Sequence, residues 1–176
     1  MDIFFASHFG HTRKIAGRLA DLISASGVPS SASDIAESYP NEAKIRSDEP
    51  CVLISAVRYG KHLPIATKLL GEIAPLTPKK PLVLLSVNLT ARKPQKRSAT
   101  GNTYVRKWIA KSGAKPVLAE AIAGNLDYPR YNFFDKTMIR FIMSMSDGPT
   151  DGVSVIDYTP WAHVEELARK ISEIGR

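Results

Sequence analysis

The chain has 176 residues, of which 44% are hydrophobic and 23% charged, and its formal net charge is +7. This composition is ordinary for a globular domain that buries its own core, and it excludes a disordered or fibrous protein. No apolar run approaches the roughly 18 to 20 residues that span a bilayer, and residues 1–5 lack the basic start of a signal peptide. We therefore expect a single domain over residues 1–176 that stays in the cytoplasm.

The cysteine count and the uneven charge limit the kinds of metal site, disulfide and binding partner that the chain can have. Cys51 is the single cysteine, so an internal disulfide and a thiolate cluster are excluded, and its place at the front of an apolar run predicts a core residue. Residues 92–115 hold eight basic side chains and no acidic one, which leaves 16 of the 24 basic residues against all 17 acidic ones. This segment indicates an anionic partner, and the alternative is a solvated face.

Apolar runs and helical patterns alternate along the chain. They predict, in order, a strand at 3–6, a helix at 12–26, strands at 30–35 and 51–57, a helix at 64–74, a strand at 81–87, a helix at 102–111, a strand at 117–123 and a helix at 158–174. In the last helix, Thr159 is the expected cap and Pro160 the expected first residue. The strands at 51–57 and 81–87 are apolar without alternation, as in parallel strands covered on both faces. Five βα units of this kind predict an α/β doubly wound parallel sheet.

About thirty residues before the last helix do not fit a plain βα unit, so we expect an insertion at about 125–152. Residues 132–146 within it have helical periodicity, and Asp147-Gly148-Pro149 is the expected end of that helix. The apolar arc consists of Phe134, Met138, Phe141, Ile142 and Met145, and the opposite side carries Lys136, Thr137, Arg140 and Ser144. Such a helix either docks on the domain or contacts a membrane or quinone, and both interpretations stay open.

The loop after the first strand, Ser7-His8-Phe9-Gly10-His11-Thr12, leads directly into a helix. Free N–H groups and the positive end of the helix dipole stabilise an anion, and Gly10 allows the backbone to approach it. The loop has neither the dinucleotide fingerprint nor the nucleoside-triphosphate pattern, but it matches the S/T-x-x-G-x-T pattern of flavodoxins. Its position beyond the first strand favours a phosphate site over a plain helix cap by Ser7 or Thr12.

His8 and His11 invite a metal interpretation, but no carboxylate or cysteine stands near them in the sequence. We therefore predict no metal, and we expect these histidines to be donors on the phosphate side or exposed loop residues.

Three later segments are more specific than the first loop. They read S-A-V-R-Y-G-K-H at 55–62, S-V-N-L-T-A-R-K-P at 86–94 and Y-P-R-Y at 128–131. With the insertion helix, and over nearly the whole chain, they resemble the flavodoxin-like, menaquinone-dependent protoporphyrinogen oxidases of bacterial haem synthesis. The resemblance implies a flavodoxin-like, five-stranded sheet of order 2-1-3-4-5, with helices on both faces and a long-chain-type insertion at the fifth strand.

The resemblance also implies a non-covalent FMN that takes electrons from protoporphyrinogen IX and passes them to a respiratory quinone, menaquinone or ubiquinone. The phosphate would be bound by Ser7, Gly10 and Thr12, together with the rest of the loop, His8, Phe9 and His11. The isoalloxazine would lie between two groups, namely Arg58, Tyr59 and Gly60 on one side and Ser86, Val87, Asn88 and Leu89 on the other. His8 and Phe9 are bulkier than the small or polar residues expected there.

Seven basic side chains are the expected contacts for the substrate's propionates or for an anionic membrane surface: Arg92, Lys93, Lys96, Arg97, Arg130, Lys136 and Arg140. We expect a cytoplasmic protein peripherally associated with the inner membrane. An electron carrier between proteins is the alternative function, although carrier flavodoxins are usually acidic. Nucleic-acid binding is not expected, because Tyr104 and Trp108 have the spacing of a helical packing pair. The proton acceptor and the oligomeric state stay open, a homo-oligomer included.

Overall fold

The computed structural model describes residues 1–144 and 148–176. Its sheet contains β1 (Asp2–Ala6), β2 (Ser31–Asp34), β3 (Cys51–Arg58), β4 (Lys61–His62), β5 (Leu82–Val87) and β6 (Leu118–Ile122). The order is β2-β1-β3-β5-β6 with every neighbouring pair parallel, and β4 folds back antiparallel on β3. Counted over the parallel strands alone, this is the predicted order 2-1-3-4-5.

Helices cover the sheet on both faces. They are α1 (His11–Ala25), α2 (Glu42–Arg46), α3 (Pro64–Ile73), α4 (Thr103–Ser112), α5 (Phe133–Ser144) and α6 (Trp161–Ile174). Successive β1 residues point to opposite faces: Ile3 packs in the layer with α1 and α6, and Phe4 in the layer with α3 and α4. The strands are therefore buried on both sides, which explains why their sequences are apolar without alternation.

The chain between β6 and α6 forms a small unit beside the sheet. β7 (Asn125–Asp127) pairs antiparallel with β8 (Val155–Asp157), and α5 lies between them in sequence. Tyr128, Tyr131 and Met143 are buried together against Phe9 of the first loop. This packing holds α5 close to the carboxyl end of the sheet. Of the predicted helix 132–146, Met145 and Ser146 lie outside the described residues, as does Asp147 of the predicted end.

The prediction for the start of the last helix is wrong. α6 begins at Trp161, Pro160 is its N-cap residue, and no described side chain caps it. The Thr159 hydroxyl instead donates to the carbonyl of Ala123, 3.1 Å away, which directly follows β6. The Thr159 side chain, which the local sequence assigns to the helix cap, therefore makes a long-range hydrogen bond instead.

One short α-helix and three short strands have no counterpart in the predictions: α2, β4, β7 and β8. Each has two to five residues, which is too few for hydrophobic periodicity to indicate an element. Within the part of the chain that the structure describes, no helix has the length and apolar character needed to cross a bilayer.

Candidate functional site

A cleft open to solvent lies at the carboxyl ends of β1, β3 and β5 and is bounded by α5. Ligands of doubly wound sheets bind at this edge, where the strand order reverses. Eleven of the thirteen predicted cofactor residues line the cleft: Ser7, His8, Phe9, His11, Thr12, Arg58, Tyr59, Gly60, Val87, Asn88 and Leu89. Gly10 and Ser86 do not form its surface. Ser86 is fully buried behind it.

The other lining residues were not among the predicted cofactor contacts. Asp135, Met138, Ile139 and Ile142 face the cleft from α5, and Tyr104, Asn125 and Tyr131 complete the wall with Ala56, Val57, Thr90 and Gly124. The α5 residues are spaced i, i+3, i+4 and i+7, which is the pattern of one helix face. Met138 and Ile142 belong to the predicted apolar arc of this helix, whereas the charged Asp135 gives no apolar signal and was not assigned to it.

The first loop delivers an uncapped helix start to the cleft. Gly10 is the N-cap residue of α1 with φ of 87°, and its N–H donates to Ser7 Oγ at 3.0 Å. Within the described residues, no side chain caps α1. Its first-turn N–H groups therefore lack a side-chain acceptor, and together with the helix dipole they suit an anionic group.

His11 contacts the last residue of β8 and the segment that follows it. Its Nε2 lies 2.6 Å from Thr159 Oγ1 and 3.5 Å from Asp157 Oδ1. Burial lowers the pKa of His11, and the Asp157 carboxylate opposes part of that change. His11 is therefore neutral at pH 7 and contributes a hydrogen-bonding ring to the phosphate end of the cleft.

Arg58 and Asp135 form an ion pair in the cleft wall, opposite the β1 end. Arg58 Nη2 donates to Asp135 Oδ2 at 3.0 Å, Nε donates to Oδ1 at 3.3 Å, and Nη2 also donates to the Tyr59 hydroxyl at 3.1 Å. Burial favours the neutral acid, but the hydrogen bonds from Arg58 and Tyr59 outweigh it and lower the pKa of Asp135. Asp135 is therefore ionised at pH 7 and holds the guanidinium in a fixed orientation.

The turn beside this ion pair is a tight hairpin. Tyr59 has φ of 49° and Gly60 φ of 73°, so both residues that join β3 to β4 are left-handed. This is the conformation of a two-residue hairpin turn. It brings the Tyr59 ring under the Arg58 guanidinium, with 4.6 Å from Cζ to the ring centre.

A buried polar network lies behind the cleft. Asn88 Nδ2 donates to Ser86 Oγ at 2.9 Å, and His62 Nε2 lies 2.8 Å from the same oxygen. Asn88 Oδ1 accepts from Thr90 Oγ1 at 2.6 Å, which fixes the orientation of the amide. Burial lowers the pKa of His62 to about 3, so the imidazole is neutral. The network positions the loop after β5 without adding charge to it.

None of the seven predicted basic contacts lines the cleft. Arg97 Nε donates to the Ala91 carbonyl, Arg130 Nη1 to the Phe9 carbonyl and Arg140 Nε to the Thr150 carbonyl, at 3.2, 3.0 and 2.6 Å. Arg92 lies over the Tyr158 ring, Lys96 is exposed, and Lys93 and Lys136 are half-buried. Several of these side chains thus support the loops around the cleft.

No cluster of three or more His, Cys, Asp or Glu side chains suited to a metal occurs in residues 1–144 and 148–176.

The fold and the site define a flavodoxin-type protein. Residues 2–152 match the model of the flavodoxin domain family. A solved mutant flavodoxin from Pseudomonas aeruginosa superposes with a TM-score of 0.51 at 13% identity, and the match covers 99% of each chain. At this identity the structural likeness concerns the fold.

Sequence similarity to two curated proteins identifies the family within this class. Protoporphyrinogen IX dehydrogenase [quinone] from Escherichia coli K12 is 35% identical over 173 residues, which cover 98% of this chain and 94% of that protein. The protein of the same name from Leishmania major is 35% identical over 167 residues, which cover 94% of this chain and 71% of that protein. The chain belongs to this family of flavodoxin-like, quinone-linked protoporphyrinogen IX dehydrogenases.

Flavodoxin-type membership makes FMN the cofactor, and the donor set of the cleft fits it. One end offers the uncapped start of α1 and the Ser7 loop, which suit a phosphate monoester. The remaining wall is mostly apolar and includes Tyr59, Val87 and Leu89, which suit a flat ring system.

Proposed function

We propose that this chain oxidises protoporphyrinogen IX to protoporphyrin IX with FMN as the redox group and a quinone as the electron acceptor, as a step of haem biosynthesis. The observation that carries the proposal is the cleft itself, which joins an anion-binding helix start to an apolar wall on α5. Beyond what FMN needs, α5 adds Met138, Ile139 and Ile142 to the cleft, and this apolar face suits a second, bulky reactant that a carrier between proteins does not require.

When bound, FMN supplies a two-electron acceptor, and three such oxidations aromatise the porphyrinogen ring. The residues of the chain bind the cofactor and the substrate and orient them for the reaction. Ser7, Gly10 and Thr12 would hold the phosphate, and the hairpin residues Arg58, Tyr59 and Gly60 would lie across the ring from Val87, Asn88 and Leu89. Met138, Ile139 and Ile142 of α5 would exclude water from the reacting face.

We also propose that the outer face of α5 contacts the membrane in which the quinone is dissolved, with menaquinone as the acceptor. Phe133, Phe134 and Phe141 are 78%, 75% and 59% exposed, and Tyr59 and Met138 border both this face and the cleft. The excess positive charge of residues 92–115 favours an anionic lipid surface. Lipid-facing aromatic residues beside the cleft would shorten the path between a lipid-soluble quinone and the cofactor.

The test is the visible spectrum of the purified holoprotein under anaerobic conditions. Addition of protoporphyrinogen IX should bleach the bound flavin, and later addition of a short-chain menaquinone analogue should restore the oxidised spectrum. An electron carrier would keep its oxidised spectrum after the porphyrinogen is added. That result would contradict the proposal.

A further inference from the structure

Arg58 is a positioned guanidinium with an unused donor edge. Its side chain is 29% exposed and lines the cleft. Asp135 and the Tyr59 hydroxyl occupy Nε and Nη2. Among the described residues, no acceptor lies within hydrogen-bond distance of Nη1. A nitrogen that carries two N–H groups is therefore left for a ligand.

The cleft wall contains few charged side chains, so the free Nη1 edge of Arg58 differs from its surroundings. Arg58 is the one arginine or lysine among the described residues that line the cleft. Around it the wall is largely apolar, so a carboxylate that enters the cleft finds a single strong charge-assisted donor. Asp135, the hairpin turn and the stacked Tyr59 ring fix the guanidinium beforehand, which lowers the entropy lost on binding.

We infer that Arg58 binds a carboxylate of the substrate through Nη1, with Asp135 as the positioning partner. The inference rests on the proposed function and names the substrate class: a tetrapyrrole with carboxylate side chains is bound in preference to its neutral ester. Asp135 leaves the Nη1 edge open and is not displaced, because its own bonds use Nε and Nη2.

Binding of the stable product tests this assignment without turnover. The holoprotein is titrated with protoporphyrin IX and with protoporphyrin IX dimethyl ester in detergent solution, and the dissociation constants are read from porphyrin fluorescence. Arg58→Gln should weaken diacid binding about tenfold, as expected for one lost hydrogen bond to a charged group. It should change ester binding much less. Lys61→Gln is the matched control, because Lys61 pairs with Arg58 in the hairpin, is exposed and does not line the cleft.

A second variant guards against misfolding, because Arg58→Gln alone leaves the buried Asp135 carboxylate without its cation. The double variant Arg58→Gln with Asp135→Asn replaces the ion pair by two neutral amides, and it should show the same loss of preference for the diacid. An equal effect on diacid and ester, or none on either, overturns the role of Arg58. Failure of protoporphyrinogen IX to bleach the wild-type flavin instead overturns the proposed function, so the two failures are distinguishable.

Discussion

At the scale of single residues, Gly10 determines how the backbone presents the start of α1. Its φ of 87° lies in a region where L side chains are strained. A Cβ built on Gly10 would meet no atom within 4 Å, so the requirement for glycine comes from the backbone and not from crowding. Ser7 Oγ fixes the turn by accepting the Gly10 N–H.

We predict that Gly10→Asp weakens FMN binding by about 100-fold or more, because backbone strain and a like charge beside the phosphate together cost about 3 kcal/mol. Fluorescence titration of the cofactor-free protein measures the effect. Gly17→Asp is the control: it places the same charge later in α1, where a Cβ also has open space and φ is not left-handed. Similar FMN affinity in the two variants would contradict the phosphate assignment.

At this scale the sequence predicts the position of a loop formed by consecutive residues, and it fails where a contact depends on distant parts of the chain. The Ser7–Thr12 loop was recognisable because a strand, a glycine and a helix start are consecutive. The partner of Arg58 was not, since Asp135 is 77 residues away in the sequence and no local pattern links the two. Thr159 was assigned to a cap because its contact with Ala123 has no local signature.

At the scale of elements, α5 has two different apolar faces. Ile139 and the fully buried Met143 pack towards Tyr128 and Tyr131. Phe134 and Phe141 point outward, 75% and 59% exposed. Docking on the domain and contact with a membrane are alternatives in the sequence, whereas the folded helix has one buried apolar face and a separate exposed one. Together with Phe133 they form a contiguous exposed apolar patch, which is the kind of surface that marks an interaction site.

We predict that Phe134→Ser with Phe141→Ser lowers binding to anionic vesicles at least about tenfold, from the lost burial of two aromatic side chains. Stability should change by less than about 0.5 kcal/mol, since both positions are exposed. Co-sedimentation and denaturant titration measure the two quantities. Quinone turnover should fall while a soluble artificial acceptor is still reduced at the wild-type rate.

Val117→Ser is the control for this experiment. Val117 is also exposed, at 57%, but it precedes β6 at the amino end of the sheet, opposite the cleft. Ile142 is left unchanged because it lines the cleft. Equal vesicle binding by all three proteins would show that the outer face of α5 does not contact lipid.

At the scale of the whole molecule, the sheet order and both helical layers were predictable, because strands buried on both faces leave long apolar runs such as 51–57 and 82–87. The units of two to five residues were not, since they are stabilised by neighbours and not by their own periodicity. β4 is an example: it exists because the Tyr59–Gly60 turn returns the chain to β3. Strand β4 places His62 in the interior of the protein.

Buried His62 makes the stability of the whole fold depend on pH. Its pKa is about 3 in the fold, against an ordinary value of 6.5. Between these values the unfolded chain binds a proton that the folded chain does not, so the free energy of unfolding falls as pH drops below 6.5. The contribution is constant above that pH. The expected slope is about 1.4 kcal/mol per pH unit.

Urea titrations of wild type and His62→Gln at pH 7, 6, 5 and 4 measure this contribution. Glutamine retains a hydrogen-bonding group for Ser86 and does not titrate. The wild type should lose about 1 kcal/mol more per pH unit than the variant below pH 6. Parallel curves for the two proteins would show that His62 is not the source.

The ring stacked on His62 also gives the molecule an optical reporter. Trp108 is 4% exposed, and its ring centre lies 3.8 Å from that of the His62 imidazole, which contacts Ser86 of the network behind the cleft. Flavin absorbs at the wavelengths where tryptophan emits, so FMN bound in the cleft should quench the fluorescence of Trp108 by energy transfer. Trp161 is the other tryptophan. With Trp161 changed to Phe, the ultraviolet emission of one buried indole would follow the arrival and departure of the flavin in real time.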